Sequence, residues 1–173
     1  DLWPINDMWN LHYFGQMAFN AGPERHTAVI ENSYGGAKDA KEFCMKSQWV
    51  SYESNKALYE GWLDHMWNDA TGVMLWMSGA SYPSMVWQTY DYYYDLTGAY
   101  FGCKQACEPV HIYWNPVTEE VKVANTTTKD YDGLTAEATV YNMDGKPVAR
   151  YSEKATINST SNAVACLLYT SDA

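Results

Sequence analysis

Near Pro109 the spacing of apolar residues changes from about 3.6 to 2, and no single helical or single β architecture accommodates both halves. Ahead of that point, Ala40, Phe43, Trp49, Val50, Ala57, Leu58 and Trp62 recur at helical intervals with Lys and Glu between them. Beyond it, Val121 and Val123 alternate with Lys122 and Ala124. Leu134, Ala136, Ala138 and Val140 then share one face of a further strand, opposite Thr135, Glu137, Thr139 and Tyr141. The chain therefore reads as an α/β part over 1–109 followed by an all-β part over 110–165.

The first part is expected to open with a loop over 1–22 containing a single helical turn. A short helix around Arg25–Asn32 stops at the Gly35-Gly36 pair, and a long helix runs from Ala37 to about Met66, weakened by Gly61 near its end. Val73 to Met77 is a short apolar run between Gly72 and the Ser-Gly-Ala-Ser-Tyr-Pro loop, which predicts a strand buried on both faces. A helix over Ala99–Cys107 follows, closed by Pro109. Strand, aromatic-rich loop and closing helix form the last βα unit of an α/β barrel, where the loop after the strand faces the active site.

In the second part, Asn142-Met143-Asp144-Gly145 is a hairpin turn, and short strands recur about ten residues apart. That pattern suggests an immunoglobulin-like sandwich, but the stretch is short of the roughly 100 residues such a domain needs. It is expected to be incomplete.

Composition narrows the partners. A net charge of −10 argues against nucleic acid, since phosphate binding needs clustered Lys and Arg. No apolar run is long enough to span a membrane. The chain holds 8 Trp and 15 Tyr, rings that suit stacking on sugar faces and equally suit a large core or an interface. Cys103 and Cys107 share a helical face, but no second pair stands near enough in sequence to complete a metal site, so these two read as small buried hydrophobes and no metal or cofactor is expected. Glu42, Glu53 and Glu60 lie on or beside the polar face of the long helix and read as solvated.

Several stretches carry a resemblance. Leu2-Trp3-Pro4-Ile5-Asn6-Asp7-Met8-Trp9, Leu11-His12, the run from Gly72 to Trp87, Asp91-Tyr92-Tyr93, Ala99 to Lys104 and Glu108-Pro109-Val110-His111-Ile112 are similar to glycoside hydrolase family 2. The branch concerned holds exo-β-glucosaminidases, β-mannosidases and plant endo-β-mannosidases. The resemblance implies that residues 1–109 are the C-terminal part of a catalytic (β/α)8 TIM barrel, from its seventh helix to its eighth, followed by a truncated immunoglobulin-like sandwich. It also implies retaining hydrolysis by two glutamates, one a nucleophile and one an acid/base. No Glu in this chain matches either family motif, so no catalytic residue is expected here and the chain alone is expected to be inactive.

What the resemblance leaves to this chain is the sugar-binding wall. Trp76, near the end of the eighth strand, is the expected floor of the subsite for the terminal sugar of an oligosaccharide. Ser78 and Tyr82 follow at the rim, and Trp9 and His12 line the same mouth. Trp87 and the Tyr90–Tyr94 cluster are expected to serve packing instead. The family implies a periplasmic or secreted protein. A carbohydrate-binding module without a hydrolase is the competing reading, against which the long helix counts.

The last eight residues, Cys166 to Ala173, resemble the conceptual translation of a transposon-end library adapter. They are expected to lie outside the natural sequence, in an open reading frame from a metagenomic fragment.

Overall fold

The computed structural model describes residues 3–13, 23–85 and 87–167, with side chains described through Asn162. Residues 14–22 of the opening loop and 168–173 of the expected tail lie outside the described residues. The chain divides into two compact units, Asp1–Leu58 with Met74–Ala106 and Tyr59–Val73 with Cys107–Ala173.

In the first unit, α1 (Met8–His12) is followed by α2 (Glu24–Tyr34). Helix α2 starts just after Pro23, whose fixed φ suits a helix entrance, and carries Glu24 in its first turn, where a negative charge meets the positive end of the helix dipole. It stops at Gly35, whose φ of 71° disfavours any other residue and whose N–H donates to the Glu31 carbonyl. Helix α3 (Ala40–Asp64) is entered through Asp39, whose carboxylate accepts the Glu42 N–H at 2.8 Å. Lys46, one turn on, pairs with Glu42 at 3.0 Å and donates to the Gly36 carbonyl at 2.7 Å, fixing the α2–α3 corner.

Trp9, Ile30, Phe43 and Val50 form the core of this unit, joined by Trp3, Ile5, Ala37 and Met85. The apolar stripe expected on α3 is only partly the buried one. Phe43 and Val50 are buried, but Trp49, Leu58 and Trp62 are 54%, 48% and 42% exposed, because the face packed inward runs through Phe43, Ser47 and Val50 and turns polar at Asn55. Helix α4 (Gly98–Ala106) packs on α3 through glycine. A Cβ added at Gly98 would stand 2.1 Å from the Gln48 carbonyl oxygen, and one at Gly102 would stand 2.2 Å from that of Tyr52. The Gly98 N–H donates to Gln48 Oε1 at 2.5 Å, and the Tyr52 hydroxyl donates to Gln105.

The second unit contains β1 (Val110–Asn115), β2 (Glu120–Asn125), β3 (Tyr131–Tyr141), β4 (Pro147–Ile157) and β5 (Ser161–Leu167). β1, β2 and β5 make an antiparallel sheet in the order β1-β2-β5, and β3 and β4 make a two-stranded sheet. The Asn142–Gly145 turn forms as expected, with Asn142 Oδ1 accepting the Asp144 and Lys146 N–H groups and Gly145 at a φ of 74°. Asn125 is fully buried; its carboxamide donates to the Lys129 and Asn158 carbonyls and accepts from Thr127, tying the β2–β3 turn to the end of β4. β5 continues through Cys166 and Leu167, opposite Val121 and Glu120, two residues past the boundary expected at Ala165.

The end of α3 belongs to this unit. Asn162 Nδ2 lies 3.0, 3.2 and 2.8 Å from the carbonyls of Leu63, Asp64 and Met66 at the helix end, where intrahelical donors run out, though that of Leu63 also accepts the Met66 N–H at 3.2 Å. Asp64 accepts from Lys122 at 2.6 Å and from the Tyr113 hydroxyl at 3.1 Å.

Three expectations are corrected. Residues 72–78 form no strand, and the described residues contain no closed barrel, because an extended segment needs a neighbour's N–H and C=O groups and none of the described strands supplies them. Glu60 is not solvated: it is 9% exposed and bonded to His111. Cys107 is exposed rather than buried, since α4 ends at Ala106 and leaves it outside the helix.

Candidate functional site

The candidate site grows out of the segment after Gly72. Burial alternates along it: Val73, Leu75 and Met77 are half-buried, while Met74, Trp76 and Ser78 are exposed. That period-two pattern survives without a sheet and gives one side of the segment to solvent. Met74 is 96% and Trp76 80% exposed, an unusual state for large apolar side chains two residues apart. No hydrogen bond or ring contact to a described residue holds the Trp76 indole.

The backbone just beyond Trp76 is held firmly. The Ser78 carbonyl accepts both the Tyr90 N–H at 2.9 Å and the Thr89 hydroxyl at 3.0 Å. Thr89 is buried, and its own carbonyl accepts from both the N–H and the hydroxyl of Thr97. Asp91 closes this loop by accepting the Tyr93 and Asp95 N–H groups at 2.8 and 2.9 Å. Each of these short polar residues satisfies backbone groups that an irregular loop leaves over.

The other expected residues divide. His12 and the loop with Tyr82 come together: His12 Nδ1 lies 2.6 Å from the Pro83 carbonyl, and the Met85 N–H donates to the His12 carbonyl at 2.7 Å. Tyr13 and Met85 bridge in parallel beside them. Tyr82 is half-buried and Ser78 exposed. Trp9 stands apart, 7% exposed, with its ring edge-on to Phe43 at 5.2 Å. Its indole is a core group, so the structure does not bring it to the exposed face that carries Trp76.

Trp9 instead borders a cavity of about 240 Å³ that the sequence did not signal. His26 and Ser47 line it, with His26 Nε2 2.6 Å from Ser47 Oγ, and burial holds the imidazole below its ordinary value. Tyr13, on another wall, has its phenol pushed up by burial and by Glu24, with Arg25 opposing. Ser84 and Gln88 line it too. Among the described residues no group of three His, Cys, Asp or Glu side chains is placed to hold a metal ion, and no helix is long and apolar enough to cross a membrane.

Comparison with known proteins places these features. No family model matches the chain. It is 32% identical over 140 residues to the mannosylglycoprotein endo-β-mannosidase of Lilium longiflorum, covering 81% of this chain and 14% of that protein. It is 36% identical over 121 residues to the exo-β-D-glucosaminidase of Amycolatopsis orientalis, covering 68% of this chain and 12% of the relative. A solved structure of the exo-β-D-glucosaminidase CsxA, with inhibitors, superposes with a TM-score of 0.78 at 28% identity, over 85% of this chain and 18% of that one. The chain thus spans about one seventh of the length of the curated relatives it matches.

Proposed function

This chain belongs to glycoside hydrolase family 2, in the branch of exo-β-glucosaminidases and β-mannosidases, and from that premise we propose that it is part of a retaining exo-β-glycosidase acting on terminal β-mannosides or β-glucosaminides of oligosaccharides. The segment with Trp76, which pairs with no strand among the described residues, takes the place of the eighth barrel strand when the rest of the enzyme supplies its neighbours, and Trp76 and Ser78 then lie toward its C-terminal end at the barrel mouth. In barrel enzymes the active site opens at the C-terminal ends of the strands. An indole there forms an apolar floor for the face of the terminal pyranose, with Ser78, Tyr82 and His12 at the rim.

The observation that carries this reading is the 80% exposure of Trp76 beside a backbone pinned at Ser78. A large ring offered to solvent from a rigid support matches the needs of a stacking platform. The two carboxyl groups of a retaining glycosidase stand about 5–5.5 Å apart across the bond they cleave. The glutamates of α3 are otherwise engaged, Glu42 at the helix start, Glu53 with Tyr34 and Glu60 with His111. No Glu of this chain matches either family motif, so the nucleophile and the acid/base are assigned by the resemblance to parts of the enzyme outside it. The family further suggests a periplasmic or secreted location.

The test is hydrolysis by the complete protein of chromogenic β-D-glucosaminide and β-D-mannoside, with the anomer released followed by NMR. Release of the β-anomer first is expected. Inversion, or no hydrolysis of either glycoside, overturns the proposal.

A further inference from the structure

The cavity beside Trp9 has no place in the reading above, because neither Trp76 nor Ser78 lines it. Its volume of about 240 Å³ is roughly that of eight liquid waters at about 30 Å³ each. It is therefore too large for a single bridging water and a little below the roughly 300 Å³ at which sites for drug-sized ligands begin.

Two of its polar groups lack what buried groups normally have. Gln88 is 4% exposed, and its Nε2 has no hydrogen-bond partner among the described residues. Ser84 Oγ is likewise out of contact with solvent and without a partner among the described residues. Such groups are rare in folded proteins and mark places where something outside the chain completes the bonding. The Gln88 backbone beneath it is held, its carbonyl accepting the Thr97 hydroxyl at 2.8 Å.

The remaining walls define the chemistry. Tyr13 and Tyr90 offer partly buried rings, and His26 is engaged with Ser47. Burial favours the neutral imidazole there. An amide donor, a hydroxyl that donates or accepts, and aromatic walls without a facing cluster of cations suit a neutral ring carrying several hydroxyls. An anion would find no Lys or Arg among the lining residues, and the one carboxylate there, Asp91, is engaged by the Tyr93 and Asp95 N–H groups.

We infer that this cavity is a second sugar-binding site of monosaccharide size, in which the Gln88 amide and the Ser84 hydroxyl bond the hydroxyls of one hexose. It rests on the glycosidase reading for the class of ligand, and it is separate from the Trp76 platform.

The full chain is titrated with D-mannose and with D-glucosamine and followed by NMR of the Trp indole and Gln amide protons. Saturable shifts at Trp9 and Gln88 are expected with at least one sugar, at millimolar affinity. Gln88→Leu and Ser84→Ala should each weaken binding about three- to tenfold, the worth of one neutral hydrogen bond, and Trp76→Ala should leave it unchanged. Ser84→Ala keeps the test valid should Gln88→Leu fail to fold. No saturable binding at tens of millimolar, or binding that ignores both substitutions and disappears with Trp76→Ala, overturns the site; a cavity filled by water alone gives the first of these results. Absence of binding in a chain whose complete protein hydrolyses its glycoside sinks the cavity site alone. Binding by the chain with no hydrolysis by the complete protein sinks the hydrolase reading alone.

Discussion

Nε2 of His111 lies 2.8 Å from Oε1 of Glu60, fifty-one residues earlier in the chain, and the two side chains are only 3% and 11% exposed. His111 also stacks on Tyr113, rings parallel within 4°. This pair joins the last turns of α3 to β1 within the second unit. Charge taken that far from water is tolerated only when its partner stays in place. Glu60→Ala or His111→Ala alone should therefore destabilise the unit by about 3–5 kcal/mol, whereas Glu60→Leu with His111→Phe should recover most of the loss. Urea unfolding of the three variants checks this; singles no worse than the double would refute it.

A second set of charges near the same helix end makes stability depend on pH at both extremes. Burial pushes the Asp64 carboxyl up, but hydrogen bonds from Lys122, Tyr113 and Asn115 outweigh it and hold it below its ordinary value. Its contribution is complete above the ordinary carboxylate range and disappears as pH falls through the depressed folded value. Tyr113 runs the other way: burial, then the Asp64 charge, raise its phenol well above the usual tyrosine range. Its contribution is present below pH of about 10 and is lost as pH rises toward the raised folded value. Melting temperature against pH should show a plateau with two falling limbs. Tyr113→Phe should flatten the alkaline limb, and Lys122→Met should shift the acid limb to higher pH.

Tyr34 reports on the first unit by the same logic at the surface. Its hydroxyl donates to the Glu53 carboxylate, and that bond, with smaller help from burial and the Glu53 charge, pushes its ionisation up to about 12. Absorbance titration of tyrosinate should contain a component that late. Glu53→Gln should move it down toward the ordinary value of about 10, and an unchanged titration would show that the carboxylate is not the cause.

Two glycines of the helical half should respond in opposite directions. At Gly102 an added methyl meets the Tyr52 carbonyl at 2.2 Å, so Gly102→Ala must push α4 off α3 and should cost about 1–3 kcal/mol, as overpacking does. Gly61 lies inside α3 with nothing within 4 Å of its would-be Cβ. Gly61→Ala should therefore stabilise by about 0.5–1 kcal/mol through helix propensity and a less flexible unfolded chain. Thermal melts of the two variants decide it.

Which features were legible in the sequence follows from the range of the forces involved. Gly35 and the Asn142–Gly145 turn carry local backbone demands, so the end of α2 and the β3–β4 hairpin can be read from neighbouring residues alone. The alternation through Leu134, Ala136, Ala138 and Val140 is equally local, and the first three do face inward, while Val140 is 39% exposed. Glu60 could not be read that way. On α3 it looks like any solvated glutamate, and its burial depends on His111, which only the folded chain brings near. Trp49 and Leu58 fit a helical stripe, yet periodicity does not say which stripe meets a partner. Gln88 and Ser84 sit in a loop that reads as aromatic; their unpaired atoms appear only when the cavity exists.

Trp76 offers the sharpest separation of function from stability. A side chain 80% exposed, with neither hydrogen bond nor ring contact to a described residue, contributes little to the folded state. Surface substitutions of that kind usually change stability by no more than about 0.5 kcal/mol. Trp76→Ala in this chain should accordingly leave its melting temperature close to that of the parent. In the complete enzyme the same change removes the floor on which the terminal sugar is oriented, and a misplaced reacting bond forfeits much of the gain from positioning. Turnover should fall by about 100-fold or more, on the scale that small misplacements cost, with the circular dichroism spectrum unchanged. Trp76→Phe, which keeps a smaller ring, should recover part of the rate. Near-native kinetics for Trp76→Ala would remove the residue from the site, and a lost fold would show instead that the indole is a packing group in the whole protein.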